Sequence, residues 1–254
     1  MEVKKCTIKL YQMRKNKKKI WFNSGGGGDI TQNLISYYNF NDNTLDSKDG
    51  NDGTPTNITY TNAKALKGAV FNGSSSKILL SDSDNLSFGD GISDVPFSIS
   101  GFVKLESTGN QWIINKRENA INLQEYQLYI YQGRFVFTLF SGGGSSNSIE
   151  NNIANPFTVG DWVYFTVTYD GSGSELGINI YINSVLDTLG TQSQTGTYVA
   201  MSNTISNIAI GKAGWVSIFY LNGVLDGLGI WNKELSQDEI IEIYNIQNNG
   251  NELV

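Results

Sequence analysis

Histidine is absent from these 254 residues, cysteine occurs once and proline three times. Without histidine the chain lacks the commonest general base and the commonest transition-metal ligand, which excludes Ser-His-Asp and Cys-His nucleophilic machinery. The single cysteine, Cys6, excludes an intrachain disulfide. That fits a reducing compartment, although a β protein needs no disulfide to work outside the cell. No apolar run approaches the roughly 18 residues that span a membrane. The charged start is not followed by the apolar core of a secretion signal, because "CTIKLYQM" alternates and then meets lysine again.

Positive charge is scarce after the first turns of the chain. Residues 1–19 hold eight of the 18 basic residues and one of the 24 acidic ones, a net charge of +7. The rest carries ten basic against 23 acidic residues, a net charge of −13. Phosphate contact needs a positive surface, so nucleic acid is not expected on the body.

The basic start has strand character, with "CTIKLYQM", a turn at "RKNK" and a returning "KKIWFN". Residues 1–24 are expected to form an arm, either a β-hairpin or an unstructured tail. Its anchoring residues would be Lys4, Lys5, Lys9, Arg14, Lys15, Lys17, Lys18, Lys19 and Trp21. An isolated hairpin is marginal in water, so a hairpin here would dock on a partner. "SGGGGD" reads as a flexible linker, placed at 25–32, with the body at 33–248 and a frayed tail at 249–254.

What the body has in abundance is short apolar stretches between turns rich in Gly, Asn, Ser and Asp. They include "LISYYNF", "AVFNG", "KILLS", "FSISGFVKL", "WIINK", "YQLYIY", "RFVFTLF", "WVYFTVTYD", "INIYINS", "ISNIAIG" and "LDGLGIWN". Such a series predicts an all-β sandwich or barrel. One helix is signalled, in "LSQDEIIEIYN". Ser236 and Glu239 form a capping box, and Ile240, Ile243 and Tyr244 fall on one face.

The order "YYNFND", "ALKGAVFNGSSSKILL", "PFSISGFVKL", "WVYFTVTYDGSG", "INIYINS" and "LNGVLDGLGIWNKELSQDEIIEIYN" resembles a laminin G-like jelly-roll domain of the concanavalin A-like lectin/glucanase superfamily. The resemblance covers roughly residues 33–246. It implies two antiparallel sheets with a short C-terminal helix, and it leaves function open, because the fold serves lectins, adhesion modules, glycosidases and spacers. The style of the chain is also similar to lectin-like structural proteins of tailed bacteriophages.

The resemblance implies a structural calcium on the convex side, with Asp226 matching the superfamily's Asp before the last strand. Asn72, Gly73, Asn39, Asn41 and Asp42 are the accompanying oxygen donors. The alternative is that Asp226 only binds a turn amide. The oxygen-rich stretch at 42–53 has no EF-hand spacing and reads better as a turn. The glucanase string Glu-x-Asp-x-x-Glu does not occur, and the central strands carry no carboxylates inside, so a hydrolase is the least favoured reading.

Sugars stack on exposed aromatic rings. Trp112, Trp162 and Trp231 lie in strand patterns and read as core. Trp215, beside Gly214 in a loop, is the candidate platform, followed by Tyr220 and Tyr126. The expectation is a non-catalytic lectin-like protein. It would be a virion structural, decoration or fibre component held to other assembly proteins by its arm, or an extracellular module that binds carbohydrate. It is expected to be a homo-oligomer or part of a larger assembly, with no membrane partner.

Overall fold

The structure is a computed structural model that describes residues 29–119, 123–142, 144–154 and 157–254. The basic arm with its lysines, Arg14 and Trp21 lies outside the described residues. The strands run in chain order as β1 (Leu34–Tyr38), β2 (Gly53–Thr56), β3 (Thr59–Asn62), β4 (Lys67–Asn72), β5 (Lys77–Leu80), β6 (Phe97–Leu105), β7 (Gln111–Arg117) and β8 (Gln124–Tyr131). They continue as β9 (Arg134–Ser141), β10 (Gly144–Ala154), β11 (Trp162–Tyr169), β12 (Ile178–Ile182), β13 (Val185–Leu186), β14 (Thr191–Thr195), β15 (Ile208–Ile210) and β16 (Asn222–Trp231). One helix, α1 (Gln237–Asn248), closes the chain.

These strands form two antiparallel sheets. The first has the order β13-β12-β11-β6-β16-β4-β3, and the second β14-β10-β9-β8-β7-β15-β5-β2. In the first sheet β4 pairs with residues 222–225 of β16, and β1 takes over along 228–231. The change of partner falls at a register shift between Asp226 and Gly229, where Gly227 has φ +60°. A bulge with a left-handed glycine lets one strand serve two neighbours on the same edge.

Strand periodicity places the core. In β6, Phe97, Ile99, Val103 and Leu105 face the other sheet, and Phe102 faces away. Phe97 stacks on Phe88 with ring centroids 4.0 Å apart. The outer face of the first sheet is also apolar, because α1 covers it. Ile240 and Ile243 bury themselves against Phe102, Tyr164 and Trp231. Ser236 caps the helix with its hydroxyl on the Glu239 N–H, while the Glu239 carboxylate accepts from the Ser236 N–H at 3.0 Å.

Both borders of the body differ from expectation. Ile30 is buried, and its carbonyl accepts the Trp231 indole N–H at 2.9 Å, so the sandwich is engaged before residue 33. The terminal residues are no frayed tail. Glu252 accepts from the Tyr37 hydroxyl at 2.8 Å and from the Asn41 amide at 2.9 Å, and Leu253 packs on the cluster under α1. A carboxylate with two donors and an apolar neighbour holds the last six residues of the sequence in place.

Candidate functional site

The outer face of the second sheet is where aromatic and polar side chains converge. On β8, Tyr126, Leu128 and Ile130 enter the core, so Gln127 and Tyr129 point outward by alternation. Register continues this outward set across the sheet. Trp112 lies opposite Tyr129, which lies opposite Val136 and then Asn152. In the next row Gln127 lies opposite Thr138, then Glu150, then Ser193. Strands about 4.8 Å apart give this second row a length of about 14 Å. Gln127 and Thr138 are 4% and 3% exposed, Glu150 is half-buried and Ser193 is exposed, so the second row rises from a buried end to solvent towards β14.

Aromatic rings wall one end. Trp112 stacks on Tyr129 at 4.7 Å and meets Trp215 edge-on at 5.2 Å and Phe219 at 5.0 Å. The Arg117 guanidinium lies 3.9 Å from the Trp215 ring and 4.7 Å from that of Phe140. Trp215 and Phe219 come from the loop between β15 and β16, and Asn115 fastens that loop. Its amide nitrogen donates to the Ala209 and Lys212 carbonyls at 3.1 and 2.7 Å, and its oxygen accepts the Gly214 N–H at 2.9 Å. A β-carbon on Gly214 would collide with the Arg117 carbonyl, so glycine lets the loop lie close against β7. Phe219 has φ +62°, a conformation that costs a bulky residue about 1 kcal/mol or more and that concentrates at binding sites.

Polar atoms are aimed as firmly as the rings. The Gln127 side-chain oxygen accepts from Trp112 Nε1 at 3.1 Å and Arg117 Nη1 at 2.9 Å, which turns its amide nitrogen to the remaining side as a donor. Glu150 is half-buried, with Thr138 and Asn152 as distant partners at 3.4 Å, and has acceptor capacity to spare. Burial, against the hydrogen bond from Thr138, pushes the Tyr129 hydroxyl up to about 12, so it stays protonated and neutral. Stacking rings beside fixed donors and acceptors suit a polyhydroxylated ligand with apolar ring faces.

Of the three sequence-derived ligand residues, Trp215 stands in this groove, half-buried. Tyr220 pairs with Lys212 in an isolated bridge and closes the base of the loop. Tyr126 is a correction. It is fully buried, and its hydroxyl donates to the Leu86 carbonyl at 3.2 Å, because its strand parity turns it into the core. Trp112 is also a correction. It is buried in the outer aromatic cluster and not in the core between the sheets. Trp231 and the half-buried Trp162 belong to the cluster under α1.

The six calcium donors do not come together. Asn72 and Gly73 stand at one end of β4, whereas Asn41 and Asp42 meet Lys67 at the other end, about 17 Å along the strand. Most of their side-chain oxygens already serve other groups, Asp226 Oδ1, buried without a partner, being the exception. Asn72 Oδ1 accepts the N–H groups of Ser74, Ser75 and Ser76, and Asn39 accepts from Asn41. Asp42 pairs with the Lys67 ammonium. Asp226 Oδ2 accepts the Ala65 N–H at 2.7 Å. Burial, with help from the Glu252 charge and against the Ala65 N–H, pushes this carboxyl up to about 7. The set as a whole does not fit one calcium ion. The stretch at 42–53 is likewise a turn, with Asp46 accepting the N–H groups of Tyr37, Lys48 and Asn51.

Carboxylates for hydrolysis are not paired on this face. Besides Glu150, the strands β7 to β10 carry only Glu125. Glu125 is fully buried, 3.2 Å from the Lys116 ammonium and bound to the Thr204 N–H and hydroxyl at 2.8 and 2.7 Å.

Comparison with known proteins agrees with this architecture. Domain 4 of an extracellular GH43 arabinanase from Geobacillus stearothermophilus, solved with arabinotriose, superposes with a TM-score of 0.56 at 21% identity, over 83% of this chain and 98% of that one. The binding domain of Paraclostridial Mosquitocidal Protein 1 gives 0.65 at 15% identity, over 85% of this chain and 52% of that one. The binding domain of botulinum neurotoxin serotype G gives 0.61 at 18%, over 85% and 51%. A curated sequence, botulinum neurotoxin type E of Clostridium butyricum, is 22% identical over 193 residues, which is 72% of this chain and 14% of that protein. The chain thus spans about half of the toxin binding domains and a small part of a whole toxin. No helix among the described residues is long and apolar enough to cross a membrane. Residues 72–241 match the laminin G family described as the Concanavalin A-like lectin/glucanases superfamily, and the chain belongs to that superfamily.

Proposed function

We propose that this chain is a non-catalytic carbohydrate-binding module that works outside the cell and takes an oligosaccharide across the outer face of its second sheet. One observation carries the reading: Trp112, Tyr129, Trp215 and Phe219 form a wall beside the fixed donor of Gln127 and the acceptor of Glu150. The arabinanase domain solved with arabinotriose, and the binding domains of toxins, support a binding role for this fold. The virion role suggested by the basic arm rests on composition, and the relatives above favour the binding reading over it. Calcium has no part in the proposal.

The test is a glycan array probed with the full chain, followed by calorimetric titration of its hits and of arabinotriose. The wild type should bind at least one oligosaccharide. Trp215→Ala should weaken that binding at least tenfold, about 1.4 kcal/mol, with the sandwich still folded by circular dichroism. Unchanged affinity in the variant, or an array and titration without a ligand, contradicts the proposal.

A further inference from the structure

Resting on the reading of the groove as a glycan site, we infer that its ligand carries a carboxylate, received side-on by Nε–H and Nη2–H of Arg117. Four described lysines have carboxylate partners, Lys67 with Asp42, Lys104 with Glu106, Lys116 with Asp82 and Glu125, and Lys233 with Glu239, whereas Arg134, without an ion pair within 4.0 Å among the described residues, is exposed to water. Arg117 forms no ion pair within 4.0 Å among the described residues, although it is enclosed between the Trp215 and Phe140 rings. Burial pushes its guanidinium down to about 10, so it is still charged at neutral pH. An enclosed charge without a counter-charge is costly to hold, and a ligand can supply the missing partner.

The donors of Arg117 are committed unequally. Nη1 is fixed by the Gln127 oxygen at 2.9 Å. Nη2 has only the Ser145 hydroxyl, at 3.2 Å, and Nε is buried without a partner. The Nε–H and Nη2–H bonds are parallel, and their spacing matches the two oxygens of one carboxylate. A carboxylate that displaces the Ser145 hydroxyl satisfies both donors and the charge at once. A neutral sugar hydroxyl satisfies one donor and no charge. Glu150 lies two strands from Gln127, about 10 Å away. On the β10 side the exposed Arg134, which donates to Asn152 Oδ1 at 2.8 Å, stands near Glu150, whereas Arg117 is enclosed between rings, which places the ligand's acid group at the Arg117 end.

Uronate oligosaccharides and sialylated glycans share this chemistry, and calorimetry with the full chain separates them. The probes are trigalacturonate, its methyl ester, 3′-sialyllactose and arabinotriose. At least one acidic probe should bind, and if it is trigalacturonate, its methyl ester should bind at least tenfold more weakly. Arg117→Gln should remove the preference for acid, and Arg117→Lys, which keeps the charge but loses the fork, should lose most of it. The ester comparison uses the unaltered protein and does not depend on the variants folding. Equal affinity for acid and ester, or binding of arabinotriose alone in a Trp215-dependent way, overturns this inference and leaves the glycan groove standing. Binding of none of the four, with an empty array, overturns both.

Discussion

Single residues at this site and beneath it act through which of their atoms are spoken for. Asp226 shows this away from the groove. Its carboxyl ties the loop at Ala65 to β16 and is 1% exposed, and its pKa is raised to about 7. A raised acid is bound to its proton more tightly in the folded state. Its contribution to stability is therefore full below the unfolded value near 4 and is lost as pH rises to about 7. The loss is on the order of a few kcal/mol. Asp226→Asn keeps an acceptor for Ala65 and removes the charge. Thermal unfolding should show the variant nearly matching the wild type at pH 4 and exceeding it at pH 8. A variant less stable at both values would mean that the ionised carboxylate is the useful form. The sequence marked Asp226 as a calcium donor or, alternatively, as the acceptor of a turn amide, and the Ala65 N–H fits the alternative. What it could not reveal is that the partner is an N–H 161 positions away.

At the scale of elements, legibility followed hydrophobic pattern. Apolar strands such as β6, β8, β9 and β11 are evident from composition alone, and α1 is evident from its cap. Strands β2, β3, β10, β13 and β14 are not. In β10, "GSSNSIENNIA", only Ile149 and Ile153 enter the main core, and Asn151 takes the inward place between them. Its amide nitrogen donates to the Ile178 carbonyl at 2.9 Å while its Oδ1 is buried without a partner, and this polar residue breaks the apolar alternation. β14, "TQSQT", is an edge strand with mostly exposed side chains. β10 and β14 border the groove, whereas β3 and β13 edge the first sheet and β2 the far side of the second, so part of what is hardest to read shapes the site. The helix offers the element-scale prediction. Ser236→Ala removes one reciprocal bond of the capping box and should cost about 1 kcal/mol, read as a lower denaturant midpoint with an unchanged slope. A changed slope would show that α1 detaches from the Phe102, Tyr164 and Trp231 surface separately.

For the whole molecule, the two sheets divide the labour. The first sheet is covered on its outer face by α1 and Ile30, and gives that surface to stability. The second turns its outer face to rings, amides and a guanidinium. Trp215 was legible as part of this site because a glycine beside a tryptophan marks a loop. Trp112, Asn115, Arg117 and Gln127 were not, because their roles depend on register between strands and on a loop about 100 residues further along the chain. The account's central claim is that ligand meets the outer face of the second sheet. The most direct test is to follow the indole N–H resonances of the five tryptophans during titration with the best oligosaccharide from the array. The signals of Trp215 and Trp112 should shift together and saturate with the calorimetric isotherm, while those of Trp162 and Trp231, under α1, stay in place. Shifts at Trp162 or Trp231 with Trp112 and Trp215 unmoved would place the ligand on the other sheet and contradict the account.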